Sequence, residues 1–252
     1  MNTEMKWAIE VKELSYGFRA GFWLRRKPVI HHITLQIPEG QVFGLLGMNG
    51  AGKTTLIHLI TGLRLPVQGS VQVFGFDAHR VEARRRIGFL PERPYFHDYL
   101  TGEQLLRFHA RLSGVQPCQV EEQMNRVLKQ VKMWGARDRA LRTYSKGMLQ
   151  RIGIAQALIH QPSVLILDEP MSGLDPMARR EMRELIRELG QTGHTVLLTS
   201  HVISDIEDVC SHVAILQNGS ISEQGPMDQF LVDGGLEEGI ARWYKGESSD
   251  EA

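Results

Sequence analysis

The sequence predicts an α/β fold: a mainly parallel sheet core, an N-terminal antiparallel β subdomain and an inserted helical subdomain. Three observations point to it. In the last third, short apolar runs (Val164 to Leu167, Thr195 to Thr199, Val213 to Leu216) alternate with helix-period segments. That is the pattern of parallel strands joined by crossover helices and covered on both faces. Near the start, residues alternate apolar and polar, as half-buried antiparallel strands do. Between these parts, about residues 94–145 carry helix-period patterns.

Taken in order, Ala8 to Leu14 and His32 to Ile37 are the antiparallel strands, with Ile33, Leu35 and Ile37 on one face. Pro38-Glu39-Gly40 is a turn, and Val42 to Leu46 is a short buried strand that ends at Gly47. A helix runs from Lys53 to Thr61 with Gly62 as its stop. Val71 to Phe74 is a strand between Gly69 and Gly75. Thr101 and Gln104 form a capping box, after which Leu105, Phe108, His109 and Leu112 recur at helical spacing. Val120, Met124, Val127, Leu128 and Val131 make a second stripe. Ser145 caps a helix to His160, broken by Gln161-Pro162. Asp175-Pro176 opens a helix with Met182, Leu185, Ile186 and Leu189 facing inward. A short helix starts at Val202, and Asn218-Gly219 is a hairpin turn. One domain over 1–245 is expected, with 246–252 a small, acidic, frayed tail.

Composition sets the class. Hydrophobic residues are 42% and charged ones 23% of the 252, which excludes disordered and fibrous chains. Lys plus Arg (29) balances Asp plus Glu (29), so no general attraction to nucleic acid or anionic lipid is expected. Two cysteines far apart, Cys118 and Cys210, imply no disulfide framework and suit a reducing compartment. Met1 to Lys6 show no basic-then-apolar signal pattern, and no apolar run approaches the roughly 20 residues that span a bilayer. An intracellular folded chain is expected. Arg25-Arg26-Lys27 and Arg84-Arg85-Arg86 read as solvated loop and helix faces.

The chemistry begins at Gly47-Met48-Asn49-Gly50-Ala51-Gly52-Lys53-Thr54-Thr55, which satisfies G-x-x-x-x-G-K-[ST] after a buried strand and before a helix. Glycines let successive backbone N–H groups turn inward as an anion nest, and the helix N-terminus adds positive potential. Lys53 supplies a full charge to the β- and γ-phosphates of a nucleotide, and the Thr54 hydroxyl can ligate Mg²⁺. The fold is therefore that of a P-loop NTPase. Asp168 and Glu169 end the apolar run Val164 to Leu167, at the strand edge where open α/β sheets place ligands. Asp168 suits the Mg²⁺ shell, and Glu169 suits accepting the proton of an attacking water.

Five ordered motifs then resemble ATP-binding-cassette (ABC) ATPases over residues 8 to 225. Tyr144-Ser145-Lys146-Gly147-Met148-Leu149-Gln150-Arg151 resembles their signature motif, matching at Ser145, Gly147, Gln150 and Arg151 and departing at Tyr144, Lys146 and Met148. Met171-Ser172-Gly173-Leu174-Asp175 resembles the D-loop, and Thr199-Ser200-His201 the switch histidine. Ile87-Gly88-Phe89-Leu90-Pro91-Glu92 aligns with the Q-loop, with Glu92 in place of Gln. The resemblance implies ATP and Mg²⁺ as ligands, Tyr16 stacked on adenine, His201 on the γ-phosphate and Glu92 near the metal.

The resemblance also implies a head-to-tail pair of cassettes, identical or closely paralogous. ATP then lies between the phosphate loop of one and Ser145, Gly147 and Asp175 of the other, and hydrolysis releases the pair. An integral membrane permease is the implied second partner, docked where Tyr95, Phe96 and Tyr99 follow the Q-loop, at the cytoplasmic face of the cell membrane. The signature and Q-loop look most like the group that drives exporters of drugs, polysaccharides or other hydrophobic cargo. The alternative is a non-transport ABC ATPase acting on ribosomes or DNA, against which stand the single cassette and an insertion of ordinary length. A small GTPase would carry Asn-Lys-x-Asp, which is absent.

Overall fold

Two sheets meet over a shared apolar layer. The computed structural model describes residues 6–20, 25–231, 235–236 and 238, with 19, 20, 25 and 26 described in backbone only. The tail at 246–252 and the side chains of Arg25 and Arg26 lie outside the described parts.

The first half of the chain gives β1 (Trp7–Ala20), β2 (Arg25–Pro38), β3 (Val42–Leu46), α1 (Lys53–Ile60), β4 (Gln68–Val73), β5 (Phe76–Asp77), α2 (Val81–Arg84), β6 (Ile87–Leu90) and α3 (Gly102–Leu112). The second half gives α4 (Val120–Gln130), α5 (Lys146–Leu158), β7 (Val164–Leu167), α6 (Pro176–Gln191), β8 (Thr195–Ser200), α7 (Ile203–Glu207), β9 (His212–Gln217) and β10 (Ser220–Pro226). One sheet is antiparallel in the order β2-β1-β4-β5. The other has the order β10-β9-β3-β8-β7-β6, parallel except for the edge pair of β10 with β9.

Alternation along the central strands sorts side chains onto two faces. Val42, Leu46, Leu165, Leu167, Val196, Leu198, Val213 and Ile215 join α5, α6 and the helical insertion in one core cluster. Phe43, Leu45, Val164, Ile166, Leu197, Ala214 and Leu216 face α1 and the antiparallel sheet in the other. Both faces are covered, which is why these strands read as unbroken apolar runs.

The α6 face is buried at Met182, Leu185, Ile186 and Leu189, as its spacing predicts. The Thr101–Gln104 capping box is formed. On α3, however, the buried residues are Gly102, Leu105, Leu106 and Ala110, whereas Phe108 and Leu112 are exposed. The covering helices approach from the Leu106–Ala110 side, so the stripe read from the sequence lies partly in solvent. β1 and β2 also run past their expected ends, because register shifts at Val11/Leu14, Leu14/Tyr16 and Tyr16/Gly17 break the alternation while pairing continues to Ala20↔Arg25.

Candidate functional site

Because the core strands are parallel, the segments after β3, β6, β7 and β8 emerge at one edge. The segment after β3 is the glycine-rich loop. Gly50 (φ 82°) and Gly52 (φ 111°) sit in the left-handed region that favours glycine. Gly52 caps α1 without a side-chain acceptor, and no acidic residue occupies the first turn, so the helix N–H groups face an open cleft. Lys53 is buried at 6% exposure. Its Nζ donates to Gly47 O at 2.6 Å and stands 3.1 Å from Glu169 Oε1.

The segment after β7 carries the carboxylates. Asp168 is 1% exposed and accepts from two hydroxyls, Thr54 at 3.0 Å on Oδ2 and Thr199 at 2.7 Å on Oδ1. Glu169 has a positive φ of 50°, rare for a residue with a side chain. Its N–H donates to Thr199 Oγ1 at 2.8 Å, and its Oε2 lies 2.9 Å from Nδ1 of His201, which follows β8.

Phe18, Val29, Met48, Asn49, Gly50, Gly52, Lys53, Thr54, Thr55, Glu92, Glu169, Ser172 and His201 line a cleft of about 440 Å³. Gly47 and Ala51 line an adjoining groove with Leu46 and Leu216. The expected phosphate-loop residues, Glu169, His201 and Glu92 therefore converge. Glu92 is half-exposed beside Arg93, and Gln150 Nε2 approaches its backbone oxygen at 3.4 Å.

Tyr16 is not among the lining residues; Phe18, two positions along the same strand, is. The Tyr16 hydroxyl accepts from Arg64 Nη1 at 3.0 Å, its ring meets Phe18 edge-on at 5.3 Å, and the Arg64 guanidinium lies 4.7 Å over Phe18. Pairing steps from Tyr16↔Ile30 to Gly17↔Pro28, and Val29, the residue passed over, joins Phe18 in the cleft. Phe18, Val29 and Ser172 are thus cleft residues that sequence reasoning missed, although a second aromatic at the strand's period was a signal for Phe18.

Ser145 and Gly147 are not in this cleft. Ser145 caps α5 by accepting from Met148 N–H at 3.3 Å. Asp175 caps α6, accepting from Met177 and Ala178 N–H at 3.0 Å each. Lys146, Leu149 and Gln150 instead share a smaller cavity with Glu92 and Ser172. Arg151 is structural on this chain: it is buried, donates to Val131 O at 3.2 Å and pairs with Glu181 at 2.7 Å.

Arg179, Arg183 and Arg187 recur on one side of α6 and meet α7, just beyond His201. Arg179 lies 3.9 Å from Asp205, Arg183 pairs with Asp208, and Arg187 donates to Asp208 O at 2.8 Å. Burial pushes the Asp205 carboxyl above the usual range, with Arg179 and Arg183 pulling it back. Among the aromatics after β6, Phe96 packs on the core, whereas Tyr95 is 88% and Tyr99 64% exposed. Among the described residues no helix is long and apolar enough to cross a membrane.

Residues 30–172 match the family profile described as ABC transporter. The chain is 40% identical over 229 residues to the ABC transporter ATP-binding protein all4389 of Nostoc sp., covering 88% of this chain and 68% of that one. It is 38% identical over 204 residues to the bacitracin transport ATP-binding protein BcrA of Bacillus licheniformis, covering 80% and 66%. A solved ATP-binding subunit of an ABC transporter superposes with a TM-score of 0.81 at 30% identity, over 94% of this chain and 99% of that one. CbiO1 of Clostridium perfringens, part of the complex cbiONQ, superposes with a TM-score of 0.82 at 25% identity, over 96% and 97%.

Proposed function

This chain belongs to the ABC transporter family as an ATP-binding subunit, and we propose that it acts as one of two cassettes that close head to tail on ATP beneath a membrane permease. It is an ATPase of transport. The observation that carries the two-cassette reading is the split of the motifs. The nest, Lys53, Glu169 and His201 line one cleft, while Ser145 and Gly147 stand outside it. The Ser145 hydroxyl and the first turn of α5 make a second anion site that another copy supplies.

In this reading the N–H groups from Gly50 to Thr55 and the Lys53 ammonium hold the phosphates, and the Phe18 ring with Val29 receives the base. Mg²⁺ fits the donor set: Thr54 Oγ1 and Asp168 Oδ2 are hard oxygens 3.0 Å apart, with the Glu92 carboxylate on the same cleft. When bound, the ion neutralises charge on the phosphate oxygens. Glu169 is the proton acceptor. Water attacks the γ-phosphorus, the bond to the β–γ bridging oxygen breaks, and the water's proton passes to Glu169, which His201 and Lys53 hold in place.

In this reading the permease docks on the exposed Tyr95 and Tyr99, with the chain at the cytoplasmic face of the membrane. The signature and the likeness to bacitracin transport proteins support export. The relatives' names lend nothing to a role on ribosomes or DNA. Static light scattering on Glu169→Gln tests the pairing. Dimer mass is expected with Mg²⁺ and ATP and monomer mass with ADP; a monomer in both would overturn it.

A further inference from the structure

One buried hydroxyl joins the Asp168 carboxylate to the backbone of Glu169. Thr199 is 0% exposed at the end of β8, and the pairing Leu167↔Leu198 sets it beside Asp168. Its Oγ1 accepts the Glu169 N–H at 2.8 Å and donates to Asp168 Oδ1 at 2.7 Å. A hydroxyl has one proton and two lone pairs, so it can do both at once; valine can do neither and serine can do both.

The two bonds answer two needs. Asp168 accepts Thr54 on its other oxygen at 3.0 Å, so the carboxylate is held by a hydroxyl at each end. Thr54 lines the cleft and Thr199 does not. The Thr54 bond is the exchangeable one when a ligand enters, and the Thr199 bond keeps Oδ2 turned to Thr54, which lines the cleft. Glu169 meanwhile holds φ at 50°, a conformation that persists only where its surroundings impose it. The bond from its N–H to Thr199 is one such restraint.

We infer that Thr199 is a positioning residue for hydrolysis, fixing at once the Asp168 oxygen that meets Thr54 and the backbone that aims Glu169 at Lys53 and His201. This rests on the reading of Glu169 as proton acceptor. It is tested on the full chain with Thr199→Val, Thr199→Ser, Glu169→Gln and the Glu169→Gln/Thr199→Val pair. Phosphate release, ATP affinity by fluorescence titration and the thermal midpoint are measured for each.

Thr199→Val is expected to lower kcat about 10- to 100-fold, the usual effect of losing an outer hydrogen-bond partner, with ATP affinity within about threefold of native. Thr199→Ser is expected to stay within about threefold of native turnover, and Thr199→Val to add less than about threefold on top of Glu169→Gln. Native turnover in a folded Thr199→Val, or a folded Thr199→Ser as slow as Thr199→Val, would overturn the inference. Should Thr199→Val fail to melt cooperatively, Thr199→Cys takes its place, with turnover expected below that of Thr199→Ser, and native turnover in it would overturn the inference. Native turnover in Glu169→Gln would instead refute the proton-acceptor reading. The Asp168 half then stands or falls on the Mg²⁺ needed for half-maximal rate, expected to rise about tenfold in Thr199→Val.

Discussion

Glu169→Gln separates chemistry from binding because of where the structure puts its neighbours. Glu169 is 7% exposed, with His201 at 2.9 Å and Lys53 at 3.1 Å. Glutamine keeps this volume and an oxygen for His201 or Lys53, but it cannot take a proton at neutral pH. A positioned base contributes about 10²- to 10⁴-fold, which at 1.36 kcal/mol per tenfold is about 3–5 kcal/mol of barrier. Binding should survive, since Lys53 keeps its ammonium and loses only the carboxylate that competes with phosphate for it. Lys53→Ala acts the other way. It removes a charged donor worth about 1.5–3 kcal/mol per hydrogen bond, so the ATP Kd should weaken about 10- to 150-fold. Titration with a fluorescent ATP analogue, beside phosphate release, reads both quantities. Turnover of Glu169→Gln within threefold of native would refute the assignment, and Glu92 on the same cleft would be the next carboxylate to substitute.

Two further predictions follow from the geometry. Phe18→Ala should weaken ATP binding by about 1–3 kcal/mol, the range for a base stacked on an aromatic ring, and Tyr16→Ala by less; competition titrations decide between the two strand residues. Burial lowers the folded-state pKa of His160, so between that value and the unfolded value of 6.5 the unfolded chain binds more protons. The stability contributed by its neutral form is therefore present above the unfolded value and lost as pH falls through it. The melting temperature should drop from pH 7 to 5, less steeply in His160→Gln than in the native chain.

Local chemistry made most of the fold legible. Val42 to Leu46 and Val164 to Leu167 are strands over the very residues their apolar runs mark, since both faces of the parallel sheet are covered. Asp175-Pro176 and Thr101 with Gln104 announced two helix starts because capping is local. What stayed hidden depends on tertiary partners. β6 is an edge strand whose pairing no periodicity encodes, and Ile87 to Leu90 drew attention only as a motif, whereas the Asn218-Gly219 turn had announced the hairpin of β9 with β10. Phe108 and Leu112 share the helical period of a buried face, yet the insertion turns them to solvent. In the site, the phosphate loop and Asp168-Glu169 were legible because spacing and strand context suffice. Phe18 was hidden by the bulge opposite Val29, and Thr199 by a bond that exists only once β8 lies beside β7.

Complementation tests the two-cassette account most directly. Lys53→Ala disables the phosphate loop, and Ser145→Arg fills the anion site at the start of α5, so each variant alone should release almost no phosphate. Mixed one to one, half of the dimers pair the variants, and each of these holds one site built from an intact loop and an intact Ser145. With symmetric pairing and independent sites the mixture should recover about one quarter of native turnover. A mixture as inactive as its components would contradict the account, as would full activity in Ser145→Arg alone.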